Sequence, residues 1–147
     1  MFPEHIHFTG RNSAQTASGD TLTFDRVVIA TGSSPTPLTA SGLDWDRVDT
    51  QNHPVKTSNT IMRMPELPRS LAIVGSGFIA VEFAHIFASL GVDVTVLARG
   101  NRLLGNHDRD VSDAFTRQFT KNVNVRFGVE VESVDVADGV LSLIHIS

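Results

Sequence analysis

The chain has no cysteine anywhere in its 147 residues. That removes disulfides, thiolate zinc sites and a cysteine nucleophile from its repertoire, while saying little about its compartment. Also missing is any apolar run approaching the roughly 20 residues of a membrane span. The opening MFPEHIHF has neither the basic region nor the apolar stretch of a secretion signal, so the expectation is a cytoplasmic chain with no membrane partner. An excess of positive charge is absent too. A formal net charge of −4 speaks against nucleic acid as a partner, because phosphate backbones are held by surplus lysine and arginine. His5 and His7 share one face of an expected strand, but no third ligand stands at a telling spacing, and no metal is expected. What is there has ordinary globular proportions, 41% hydrophobic and 19% charged.

The pattern changes near Pro65. Before it the chain reads as strand and loop: HIHFTG and TLTF alternate, RNSAQTASGD is a polar loop, and RVVIA is a continuous apolar run. A small antiparallel portion within residues 5–30, a hairpin followed by a buried strand, is expected. TSNTIMRMPELPRS then suggests a short helical piece and a proline-bounded linker. After the linker, SLAIV reads as a buried strand, and Ile79, Ala80, Phe83, Ala84, Phe87 and Leu90 recur at helical spacing up to Gly91. VDVTVL is a second strand. Val111, Ala114, Phe115 and Phe119 line a second helix, and Val123, Val125 and Phe127 alternate as a third strand. Strands alternating with helices predict an α/β fold, a Rossmann-like doubly wound parallel sheet with a βαβαβ core in residues 69–128.

The turn between the first of these strands and its helix is AIVGSGFIAVEFA. In a nucleotide-binding βαβ unit the first glycine permits a tight turn, the second lets backbone approach a pyrophosphate, and a third small residue lets helix and strand pack closely. Gly75, Gly77 and Ala80 occupy those places, and the helix N-terminus, with its free N–H groups and positive dipole, faces the diphosphate. Ser76, Phe78 and Ile79 complete the expected cradle.

The end of the next strand decides which dinucleotide is preferred. An acid there accepts hydrogen bonds from the ribose hydroxyls of NAD; VLARGNR has Ala98, then Arg99, with Arg102 in the following loop. No acid repels a 2′-phosphate, and a guanidinium presents a planar fork to phosphate oxygens, so NADPH is the expected cofactor, with Arg99 reaching it before Arg102.

Taken together and in order, VVIATGSSP, GSGFIAVEFA and LARGNRLL resemble the FAD-dependent pyridine nucleotide-disulfide oxidoreductases. The resemblance implies that residues 1–66 are the later part of an FAD domain and 67–141 the start of an inserted, incomplete NADPH domain, with 142–147 a non-native tail outside the fold. It gives Ala30, Thr31 and Gly32 to the flavin, at a turn where small residues allow backbone contact. It gives Glu82 to the nicotinamide pocket, as the acid that pairs with a flavin-domain lysine; read from the helix alone, Glu82 is a solvated surface residue. Phe78 stands where several members carry a tyrosine, and Gly105 where many NADPH-using members have a second arginine.

The activity implied runs from NADPH through FAD to a redox disulfide and then to a low-molecular-weight disulfide such as mycothione, in a homodimer. The redox cysteines and the dimerisation domain lie outside this stretch in the family, so the resemblance implies a piece of a longer enzyme that is inactive by itself. A dihydrolipoamide dehydrogenase-like member, or a non-catalytic NADP(H)-binding module, are the alternatives; the acid common near Arg99 in NAD-using members is absent.

Overall fold

The computed structural model describes residues 3–137 and 140–146. The chain divides into two compact units between Ser34 and Pro35. The first is an antiparallel sheet of three strands, β1 (Ile6–Gly10), β2 (Ser13–Thr16) and β3 (Thr21–Thr23), with Ala14 opposite both Phe8 and Leu22. The antiparallel portion is where the sequence puts it, but β2 lies inside the stretch expected to be a polar loop. Ala14 and Thr16, each 2% exposed, alternate inward between outer neighbours, and the Thr16 hydroxyl is satisfied locally because the Asp20 N–H donates to it at 3.0 Å. A buried threonine whose oxygen is occupied acts as an apolar residue, which a polarity pattern does not register.

RVVIA corrects another expectation. It is not a buried strand: it pairs with nothing among the described residues, and Val27, Val28 and Ile29 are 50%, 87% and 70% exposed. A run apolar on every side needs partner strands and cover on both faces, and nothing in this unit supplies them.

The second unit holds the βαβαβ core: β4 (Ser70–Val74), α1 (Phe78–Ser89), β5 (Asp93–Ala98), α2 (Arg109–Phe119) and β6 (Asn124–Phe127). The strands are parallel in the order β4-β5-β6, with Ile73 beside Val96 and Val96 beside Val125, in a Rossmann-like α/β fold. α1 stops where Gly91 takes φ +88°, and the Gly91 N–H donates to the Ala88 carbonyl at 3.0 Å. One face of the sheet packs on both helices: Ala84, Phe87, Val94, Val96, Leu103 and Val123 are buried, with Leu71, Ile73, Phe83, Phe115 and Phe119 against them. The helical faces are rotated slightly from those expected. Ile79, Leu90 and Val111 are exposed, while Val81 and Ser112 are buried.

The other face of β5 is covered by a second cluster, in which Leu97, Val129, Val131 and Val134 pack with Leu38, Ala40, Leu43 and Val55. Val129, Val131 and Val134 come from β7 (Glu130–Ala137) and the residue before it. The Ser41 N–H donates to the Glu132 carbonyl and the Val134 N–H to the Ser41 carbonyl, both at 2.8 Å, so the segment after Pro35 belongs to this unit and Pro65 and Pro68 lie inside it. The expected helical piece is a 3-10 turn, Ile61–Arg63, that buries Ile61 in the first cluster. Residues 142–146, expected to lie outside the fold, run within β8 (Val140–Ile146), antiparallel to β7; LSLIHI offers an extended, alternating backbone, which is all that pairing requires.

Between these parts Asp49, at φ +67°, clamps a turn. Its carboxylate accepts the Thr57 N–H at 2.6 Å, the Thr57 hydroxyl at 2.5 Å and the Thr60 hydroxyl. Burial pushes its pKa up, but the Thr57 and Thr60 hydrogen bonds and the charge of Lys56 together outweigh that and hold the carboxyl below its usual value.

Candidate functional site

The turn after β4 is shaped for an anion. Gly75 has φ +133°, which a side chain resists, and its N–H donates to the Leu97 carbonyl at 2.9 Å, stitching the turn to the end of β5. A Cβ at Gly75 would sit 3.7 Å from that of Ala80, so the small third residue is what lets α1 approach this closely. Gly77 is the N-cap of α1, provides no side chain to cap it, and has open space where a Cβ would be. The first turn carries no acid. The leading N–H groups of α1 therefore have neither a capping oxygen nor a competing carboxylate, the state in which a helix end receives phosphate. α2 is built the opposite way: Asp108 accepts from the Asp110 N–H at 2.9 Å and from the Val111 N–H at 3.4 Å, closing its N-terminus. Ser76 is half-buried in the turn, and Phe78 and Ile79 stand exposed beside it.

Parallel pairing of β4 with β5, Val74 beside Leu97, sets the end of β5 next to this turn. Ala98 is buried; Arg99, the next residue, is exposed and has no ion pair among the described residues. Arg102 differs. Its guanidinium lies 3.7 Å from one carboxylate oxygen of Asp113 on α2, whose other oxygen is 3.7 Å from Arg109. The two arginines singled out by the sequence are thus one free and one engaged.

The loop carrying them is fixed by groups that sequence reasoning missed. Leu103 is fully buried, and its N–H donates to Thr116 Oγ1 at 3.0 Å. Leu104, at φ +55°, donates its N–H to the Ser76 carbonyl at 2.7 Å and accepts the Ser112 hydroxyl at 2.6 Å. The turn after β4 and the arginine loop are joined backbone to backbone. An isolated apolar pair in a polar loop, "RLLG", is the one sequence signal of this anchor; the Arg109/Asp113 spacing of four was the signal for the acid.

The remaining expected residues lie apart from this cluster or without partners. Glu82 is exposed on α1. Ala30, Thr31 and Gly32 are exposed, irregular chain in the first unit; Gly32 has φ +76° and open space at its Cβ position. Among the described residues no group of three or more His, Asp or Glu side chains is placed to hold a metal, and no helix is long and apolar enough to cross a membrane.

A glycine turn leads into an uncapped helix, and the strand after that helix ends without an acid; residues 3–146 match the pyridine nucleotide-disulphide oxidoreductase family. The chain belongs to that family. Among its curated relatives, mycothione reductase of Mycobacterium tuberculosis is 45% identical over 115 residues, covering 76% of this chain and 23% of the relative. Mercuric reductase of Bacillus cereus is 33% identical, covering 95% and 21%. The chain thus spans about a quarter or less of the length of these relatives. Among solved structures it is similar, at 25% identity and TM-score 0.62, to an engineered water-forming NADPH oxidase bound to NADPH, covering 90% of this chain and 30% of that one. That protein was made from the water-forming NADH oxidase of Lactobacillus brevis, and its substitutions include glycine to alanine and, further on, adjacent changes of aspartate to alanine and alanine to arginine.

Proposed function

We propose that this chain is the NADPH-docking portion of a flavoprotein disulfide reductase. The observation that carries the reading is the uncapped N-terminus of α1 beside a β5 that ends in Ala98 and an unengaged Arg99. The residues fit the nucleotide: Gly75 and Gly77 leave backbone room, the first-turn N–H groups take the diphosphate, and Arg99 meets the 2′-phosphate with Arg102 behind it. The engineered oxidase supports this reading, since three of its substitutions introduce a small residue, an alanine and an arginine at the same mutual spacing as Ala80, Ala98 and Arg99. When bound, the nucleotide supplies a hydride. The chain's own part is to hold and orient it, with Glu82 serving the nicotinamide pocket by pairing with a lysine of the flavin domain, and Phe78 beside the turn.

In the whole enzyme, residues 1–66 belong by sequence to the FAD domain, 35–66 being the connection that packs within the second unit, and 67–141 to the NADPH domain; 142–147 are not native to it, although 142–146 pair within β8 here. Ala30, Thr31 and Gly32 fit the flavin through their small side chains and the positive φ of Gly32, which is too little surface to retain FAD alone. The redox cysteines and the domain that forms a homodimer come from outside this stretch, so the chain alone is inactive. Similarity to mycothione reductase favours a low-molecular-weight disulfide such as mycothione as the substrate, in the cytoplasm.

The test is titration calorimetry of the purified chain with NADPH and NADH. NADPH is expected to bind about tenfold more tightly per engaged arginine, the low end for a charge-assisted hydrogen bond in a solvent-facing site. Arg99→Glu should weaken NADPH and spare or improve NADH, because a carboxylate repels the 2′-phosphate and accepts from a ribose hydroxyl. Equal wild-type affinities, or a parallel loss for both nucleotides, would return Arg99 to the ordinary surface.

A further inference from the structure

The two arginines of the loop after β5 are held differently, and the difference traces to one residue of α2. Asp113 stands between Arg102 and Arg109, each 3.7 Å from one of its oxygens. Arg109 is four residues before it on the same helix, the spacing at which helical side chains meet; Arg102 comes to it across the loop. The loop cannot swing to relieve the pair. Leu103 is buried and donates to Thr116, and Leu104 is bonded to Ser76 on one side and Ser112 on the other. The backbone beneath Arg102 is fixed, so where its guanidinium goes is a matter of side-chain rotation alone. At 3.7 Å the contact is an ion pair longer than a hydrogen bond, and the partners' side chains are 31% and 40% exposed. It is a weak hold that a nucleotide phosphate is able to contest.

We infer that Asp113 tunes nucleotide discrimination by drawing Arg102 onto α2, so that Arg99 alone meets a 2′-phosphate until that phosphate competes Arg102 away. Asp113 is a positioning residue in this scheme and touches no nucleotide. The inference rests on the NADPH reading above and adds to it a residue that restrains the preference. Removing the carboxylate while keeping the shape should free Arg102 and tighten binding of a 2′-phosphate, and it should do nothing for a nucleotide lacking one.

The experiment measures binding of 2′,5′-ADP and 5′-AMP to the chain by calorimetry, for wild type, Asp113→Asn, Asp113→Glu, Arg102→Ala, the Arg102→Ala/Asp113→Asn pair and Arg99→Ala. Thermal unfolding checks that each variant keeps the wild-type fold. Asp113→Asn is expected to tighten 2′,5′-ADP about threefold, the scale of an exposed ion pair, with 5′-AMP unchanged, and Asp113→Glu to restore the wild-type value. The gain should vanish when Arg102 is alanine, because the effect passes through that side chain. A gain that persists without Arg102 would mean that Asp113 acts only through its charge, and no gain at all would mean that the pair restrains nothing; either result overturns the inference. If Arg99→Ala leaves 2′,5′-ADP binding unchanged, it is the NADPH reading that fails, so the two failures are separable.

Discussion

RVVIATG and LAIVGSG are nearly the same phrase: a short apolar run, then a turn at a glycine with positive φ, +76° at Gly32 and +133° at Gly75. The second is β4, hydrogen-bonded to β5 along its length and covered on one face by α1. The first pairs with no strand among the described residues, and its Val28 is 87% exposed. Nothing local separates them. What separates them within this stretch is what each meets: after Gly77 come twelve residues that form α1 and then a strand for β4 to pair with, whereas no strand among the described residues pairs with the first run and no helix covers it. An apolar run becomes a strand when a neighbour takes up its hydrogen bonds and another layer covers it. The glycine turn that follows inherits its rigidity from that event.

The comparison breaks most visibly at Phe87, which is 3% exposed and fixes α1 over the second run. Phe87→Ala should lower the unfolding free energy by about 3 to 5 kcal/mol in urea titration, the range for emptying an aromatic site in a core. Between the two runs, Asp49 fastens the connecting segment. Asp49→Asn keeps the left-handed backbone available but loses the charge, and should cost about 1 kcal/mol for this partly solvated cluster. The effect has a pH signature. Because the folded carboxyl titrates lower than the unfolded one, its stabilisation is complete above the ordinary value of about 3.8 and is lost as pH falls through the depressed folded value. Wild type and variant should therefore converge in acid; a difference that stays constant below pH 4 would contradict the clamp. The smallest effect is expected at Val28, where Val28→Ser should shift stability by less than about 0.5 kcal/mol. A loss there approaching that of Phe87→Ala would mean the first run is covered after all.

The second run and its helix were legible because period 2 gives way to period 3.6 within a few residues, and Gly91 marks the stop. The tight turn at Gly75 and the start of α1 at Gly77 followed from that context. Other features depend on contacts distant in the chain. β2 went unread because Thr16 is polar by composition and buried by virtue of its local hydrogen bonds. Ile79 and Val111 fit a helical stripe yet face solvent, since the position of a stripe is set by what packs against it; Ser112 is buried because its hydroxyl has the Leu104 carbonyl to bind. The engagement of Arg102 joins a loop to Asp113 in the second turn of α2, and no periodicity running across the loop encodes it.

The bond from the Leu104 N–H to the Ser76 carbonyl is made by main chain alone. The anchoring of the loop is therefore independent of which side chains it carries. The residues at positions 99, 102 and 105 can each be exchanged without removing the bond that ties their loop to the turn after β4. On the reading proposed above, a change of nucleotide preference asks nothing of the backbone bond that anchors the turn.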